Sequence, residues 1–143
     1  MIVRKSNAEW RGDLKSGDGS IELGSGAYSG PYSFLSRFEN GTGTNPEELI
    51  AAAHAACFSM AFSLALTQAG YAPVRVHSTA SVNLDKVAGG FAITGIDLVT
   101  EAVIPKIEDE QFQVIAQDAK TNCPVSKALS ALPISLRATL VEE

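Results

Sequence analysis

Cys57 and Cys123 are the only two thiols among the 143 residues, and their surroundings decide what chemistry is open to them. Cys57 lies in NPEELIAAAHAACFSMAFSLALTQAG, within a stretch from Leu49 to Val74 that contains no Lys, Arg, Asp or Glu. A free cysteine there is either a small buried hydrophobe or a nucleophile. As a nucleophile it needs a cation: a thiol of pKa about 8.5 is only a few per cent ionised at neutral pH, and apolar burial raises it further. His54, one helical turn earlier, is one candidate for that help, with a packed core histidine as the alternative. Arg37, in SRFENG, is the better candidate because a guanidinium stays charged when desolvated; the alternative is a strand-end Arg in solvent. Cys123 stands before Pro124 in NCPVSKAL. Proline in a first helical turn places the sulfur at or near the cap, where the helix dipole favours a thiolate, unless the residue is simply an inert cap.

Two acids complete the set. Glu48, three residues after Asn45, sits at capping-box spacing and is explained by that alone. Glu47 has no such structural role and is free to orient Arg37. Ten residues of straight helix, about 15 Å at 1.5 Å each, then divide Glu47 from the Cys57 of its own chain. One compact site therefore requires either a broken helix or the Cys57 of a second subunit.

Other chemistries lack their residues. There is no CxxC pair for a thioredoxin-like or zinc-ribbon motif, no GK[ST] after GTGTN for a phosphate loop, and no GxSxG. Zinc held by Cys57, His54, Cys123 and His77 has suitable ligand types at scattered spacings, and a non-catalytic thiol or zinc module stays open, as does a cysteine hydrolase using Cys57 and His54. Sixteen acids against eleven bases give a net charge of −5, without the clustered Lys and Arg that nucleic-acid binding draws on. The amino-terminal MIVRKSNAEWRGD is charged where a signal peptide is apolar, which predicts a cytoplasmic protein whose cysteines form at most a transient bond. Leu49 to Leu66 is long enough to raise the question of a membrane span. Its alanines, Ser59, Ser63 and His54, together with the lack of basic flanks, favour a helix buried in protein instead.

These residues must be positioned by a single domain spanning residues 1–143. VRKSNAEW, SGDG, SIELG and AYSGPYSFLSRF predict an antiparallel sheet. Asn45 caps a helix with Pro46 in its first turn, and Gly70 ends it. VRVHSTASVNLDK and FAITGIDLVTEAVIP predict a hairpin turning at VAGG. IEDEQFQVIAQDAK predicts a helix with Phe112, Ile115, Ala116 and Ala119 on its apolar face, then a short helix from Pro124, and PISLRATLVE a last strand. The fold class is α+β.

GTNPEELIAAAHAACFSMAFSLAL and NCPVSKAL, together with the NAEWRGDLKSGDG start and the SVNLDKVAGGFAITGIDL hairpin, resemble the osmotically inducible protein C (OsmC) family, sister to the organic hydroperoxide resistance proteins. The resemblance covers nearly the whole chain. It implies antiparallel sheets around a central buried cysteine-bearing helix, an intertwined homodimer with sites at the subunit interface, and a thiol peroxidase acting on organic hydroperoxides. Cys57 would be the peroxidatic residue, Cys123 the resolving one, and Arg37 with Glu47 the activating pair. No metal or organic cofactor is implied; the reductant is a dithiol, lipoyl-bearing in several members.

Overall fold

In the computed structural model, the amino-terminal segment forms an antiparallel sheet of β1 (Ser6–Arg11), β2 (Asp18–Leu23) and β3 (Ser29–Tyr32), in that order. The chain is described for residues 1–142, so Glu143, the last residue of the expected domain, lies outside the described residues. It divides into two compact units, Met1–Leu49 and Ile50–Glu143. In the first, the expected strand through AYSGPYSFLSRF stops at Tyr32, and Phe34–Phe38 forms a short helix, α1. The cause is local. Ser33 Oγ accepts the Ser36 amide at 3.1 Å while Ser36 Oγ accepts the Ser33 amide at 2.9 Å, a reciprocal cap that overrides the strand preference of the aromatic residues.

Helix α2 (Pro46–Gln68) runs unbroken. Asn45 Oδ1 accepts the Glu48 amide at 2.8 Å, as an N-cap does. At the other end Tyr71 N–H donates to Leu66 O and Gly70 N–H to Thr67 O, both at 3.0 Å, with Gly70 at φ +94°. This is a Schellman motif, which needs a left-handed residue that only glycine adopts without strain. Gly70→Ala is therefore expected to cost about 1–2 kcal/mol. A thermal melt indistinguishable from wild type would contradict that reading of the helix end.

The carboxy-terminal unit holds a second sheet, β4 (Arg75–Val87), β5 (Gly90–Val103) and β6 (Ile134–Leu140), ordered β4-β5-β6. The hairpin β4-β5 is antiparallel with a register shift at Asn83/Leu84, and β6 lies parallel to β5. Parallel strands need a crossover. Here it is helix α3 (Asp109–Asn122) followed by α4 (Pro124–Ala128), so the short NCPVSKAL segment lies on the way back to the sheet. Helix α3 buries Phe112, Ile115, Ala116 and Ala119, the face its spacing predicts. From α2, His54, Phe58, Phe62 and Leu66 are buried in a stripe at every fourth position, with Phe62 packed against Phe112 at a ring-centroid distance of 5.4 Å. Two three-stranded sheets, with the helices between strands in the sequence, make the fold α+β, as expected.

Helix α2 is long and apolar enough to cross a membrane by length and composition, and was expected to be buried in protein, with more cover than the domain's own sheet supplies. A single chain buries the stripe and half-covers its flanks. Met60 and Leu64 are 75% and 58% exposed, because the second sheet and α3 offer apolar partners to one side of the helix alone.

Candidate active site

Cys57 sits midway along α2, half-buried, and Cys123 is fully buried at the junction of α3 and α4, where it is the last residue before Pro124. Both are free thiols. Their sulfurs lie 2.9 Å apart in an S–H···S hydrogen bond, so that joining them at the covalent distance of about 2.05 Å needs only a small displacement.

The two thiols are not equivalent. Burial acts most strongly on Cys57 and pushes its pKa up; the hydrogen bond and charge of Cys123 add to this, and only the Val125 amide opposes it. No cation is among these influences. On Cys123 burial is again the largest single influence and pushes upward, but the hydrogen bonds of Cys57, of the Ser126 amide and hydroxyl, and of the Val125 amide together outweigh it. They hold this thiol below its ordinary value. The surroundings of the two thiols thus act on them in opposite directions. Beside Cys57 a groove of about 870 Å³ is lined mostly by apolar residues, Met60, Ala61, Leu64, Ala119 and Pro124 among them, with Gln68, Asp118 and Asn122 at its polar positions.

The second pair belongs to the amino-terminal unit. Arg37, on α1, meets Glu47, in the first turn of α2, through both carboxylate oxygens: Nη2 to Oε1 at 2.8 Å, and Nε to Oε1 and Oε2 at 3.2 and 3.3 Å. Planar two-point pairing of this kind fixes the guanidinium in orientation as well as position. Glu47 is buried while the Arg37 side chain remains 37% exposed, so the carboxylate is the anchor and the arginine the presented group. The guanidinium also lies over the Phe38 ring, 5.2 Å from its centroid. The connecting loop is tied down by Ser36 Oγ–H donating to Thr44 O at 2.7 Å and by Asn45 Nδ2–H donating to Ser36 O at 3.0 Å. Glu48 turns away to accept from the Thr44 hydroxyl at 3.0 Å.

His54 is fully buried, but it does not serve Cys57. Its Nε2 is 2.8 Å from Ser126 Oγ, and its Nδ1 has no hydrogen-bond partner among the described residues. Burial lowers its pKa. A cysteine hydrolase needs a base within hydrogen-bond reach of its nucleophile, and that arrangement is not found here. His77 is an exposed residue of β4, and among the described residues no group of three or more His, Cys, Asp or Glu is placed to hold a metal ion. The four proposed zinc ligands do not form a set. Ser126 is the polar residue that sequence reasoning passed over. Its signal was its position, three residues after a cysteine that caps a helix.

Comparison with known proteins gives a consistent result. Residues 39–137 match the family model OsmC, OsmC-like protein. The chain is 53% identical over 131 residues to Peroxiredoxin OsmC of Escherichia coli (strain K12), covering 91% of this chain and 92% of that one. It is 35% identical over 89 residues to an organic hydroperoxide resistance protein of Xanthomonas axonopodis pv. citri (strain 306), covering 62% of this chain and 61% of that one. In structure it resembles the crystallised organic hydroperoxide resistance protein OhrB of Bacillus subtilis, with TM-score 0.72 and 26% identity over 96% of this chain and 98% of that one.

Proposed function

Because the chain belongs to the OsmC-like family, we propose that Cys57 and Cys123 are the peroxidatic and resolving cysteines of an organic hydroperoxide reductase. The protein is a cysteine-based peroxidase, an oxidoreductase of the oxidative stress response. The observation that carries the residue assignment is the 2.9 Å separation of the two sulfurs.

The Cys57 thiolate attacks the terminal oxygen of the hydroperoxide, the O–O bond breaks, and the alkoxide takes a proton and leaves as alcohol. The sulfur, oxidised by two electrons, is now a sulfenic acid. The Cys123 thiolate attacks that sulfur, the S–O bond breaks, and hydroxide leaves with a proton as water. A dithiol, which a lipoyl-bearing protein supplies in this reading, reduces the resulting disulfide and frees both thiols.

Arg37, oriented by Glu47, supplies the cation that Cys57 lacks. It favours the thiolate and then the negative charge growing on the peroxide oxygens. Lowering a thiol pKa by two units takes about 2.7 kcal/mol, within reach of one or two charge-assisted hydrogen bonds. The unbroken α2 leaves about 15 Å of helix between Glu47 and Cys57, which favours a homodimer in which the pair serves the partner's Cys57. The exposed Met60 and Leu64 face of α2 is in keeping with cover by a second copy. Residues 1–143 act as one domain in this reading, the family match running through the end of the first unit into the second. We place the soluble protein in the cytoplasm, where thiols are kept reduced.

The test is a thiol titration before and after peroxide. Stoichiometric cumene hydroperoxide is expected to remove both thiols together, and thiols that survive it would overturn the assignment. Burying an alkyl group in the groove contributes about 0.8 kcal/mol per CH₂, a gain hydrogen peroxide cannot collect. The catalytic efficiency with tert-butyl and cumyl hydroperoxides is thus expected to exceed that with hydrogen peroxide by roughly tenfold or more. Equal efficiencies would remove the groove from the mechanism.

A further inference from the structure

We propose that His54 and Ser126 are positioning residues for disulfide formation: their hydrogen bond clamps the start of α4 against α2, so that Cys123 stays within reach of Cys57 after Cys57 has been oxidised. Neither residue has a part in the peroxide chemistry described above. The proposal rests on the reading of Cys123 as the resolving cysteine.

Two hydrogen bonds run between α2 and the junction of α3 with α4. His54 Nε2 is 2.8 Å from Ser126 Oγ, and the Cys57 and Cys123 sulfurs are 2.9 Å apart. His54 precedes Cys57 by three residues and Ser126 follows Cys123 by three, so the two links lie within about one helical turn of each other on both segments.

The sulfur link is the one that the reaction removes. In the dithiol the Cys123 S–H is the donor. A thiolate has no hydrogen to give, so this bond is gone when Cys123 attacks, and Cys57 by then carries an oxygen. The bond between His54 and Ser126 involves neither sulfur and persists through the step. It reaches Cys123 through the backbone. Cys123 N–H donates to Ala119 O at 2.9 Å, closing α3, and Cys123 O accepts the Lys127 amide at 3.0 Å in the first turn of α4. Ser126 lies in that same turn, so fixing its side chain fixes the turn that carries Cys123.

The residue types point the same way. His54 is wholly buried in the stripe that continues with Phe58, Phe62 and Leu66, and Ser126 is 5% exposed. Apolar residues at both positions would leave no polar group to satisfy, and paired replacements of that kind can be nearly neutral in stability. Apolar packing is non-directional, whereas a hydrogen bond sets distance and direction. Direction matters here, because attack of one sulfur on another needs the reacting atoms close and aligned, and about 1 Å of misplacement can cost on the order of a hundredfold in rate.

The test follows Cys57 by rapid quench and mass spectrometry after one equivalent of cumene hydroperoxide, without reductant. Ser126→Ala and His54→Leu are each expected to form sulfenate at the wild-type rate and the disulfide about tenfold more slowly, with more sulfinic acid when peroxide is in excess. His54→Gln, whose amide stands in for Nε2, recovers most of the rate. The double change His54→Leu with Ser126→Ala separates positioning from stability. It removes both polar partners, so its melting temperature returns toward wild type, while its disulfide still forms about tenfold slowly. A role in stability alone predicts that the rate returns with the melting temperature. That result overturns the clamp, as does a wild-type disulfide rate in both single variants. A glutathione redox buffer reads the same geometry without peroxide: oxidised glutathione closes the pair and leaves as two thiols, and the double variant is expected to show an effective thiol concentration about tenfold below wild type. If the unaltered chain closes in the buffer but not after peroxide, the two-cysteine reading fails and the buffer still decides the clamp. A chain that closes in neither overturns both.

Discussion

Cys57→Ser is expected to abolish peroxide turnover completely, whereas Cys123→Ser is expected to carry out one stoichiometric reduction and then stop. A serine hydroxyl has no accessible oxyanion at neutral pH, so the first displacement on the peroxide has no nucleophile. In Cys123→Ser that displacement is intact and the sulfenic acid simply has no partner. Without a thiol 2.9 Å away to capture it, the Cys57 sulfur climbs to sulfinic and sulfonic acids under further peroxide. Single-turnover assays paired with mass spectrometry separate the two roles: one equivalent of alcohol and a mass gain on Cys57 in Cys123→Ser, neither in Cys57→Ser. Equal inertness of the two variants would remove the division of labour between the cysteines.

The second large effect is a gain of activity. Arg37→Ala and Cys57→Ser are each expected to be inactive alone, and mixing them under subunit exchange is expected to restore activity. If Arg37 of one chain serves Cys57 of the other, a mixed dimer has one site carrying both defects and one carrying neither, so activity returns to about half of wild type per heterodimer. If each chain serves itself, every site carries one defect and mixing restores nothing. The expectation comes from α2 acting as a ruler. A helix unbroken from Pro46 to Gln68 cannot fold back to bring its first turn to its own middle. No recovery despite verified exchange would sink the assignment across subunits while leaving the cysteine chemistry standing.

Much of this was legible in the sequence because it is written locally. The start of α2 is announced by Asn45 and Pro46, its end by Gly70, and the buried face of α3 by the spacing of Phe112, Ile115, Ala116 and Ala119. Each signal lies within a turn or two of the feature it specifies. Helix α1 was missed because its cap is a Ser33–Ser36 pair rather than the usual Ser or Thr with Glu or Gln, and because its aromatic residues favour strands. The parallel placing of β6 beside β5 has no local signature, since it is set by where α3 and α4 return the chain. The polar pairs divide the same way. The observed pairing of Arg37 with Glu47 was legible as an acid without a structural task beside a cation able to stay charged. The tie between His54 and Ser126 joins residues 72 positions apart and depends on packing that no spacing encodes. Met60 and Leu64 of α2 are left exposed by their own chain, and an even distribution of apolar residues around a helix does not say how many neighbours will cover it.

The meeting of Cys57 and Cys123 across 66 positions of sequence ties the proposed chemistry to the topology of the polymer. When the disulfide forms, it closes a large loop and strips the unfolded ensemble of conformations, by about 4 kcal/mol on a chain-entropy reckoning. Reciprocity makes that same free energy a property of the sulfur chemistry: the folded chain holds the disulfide more tightly than the unfolded chain would. In the proposed cycle the chain thus alternates between an open and a cross-linked polymer, and the cross-linked one, awaiting its electrons, is the harder to unfold. The reductant must work against the fold as well as against the bond. A dithiol, whose second sulfur closes its own ring and makes release intramolecular, is suited to that task in a way that a single thiol is not.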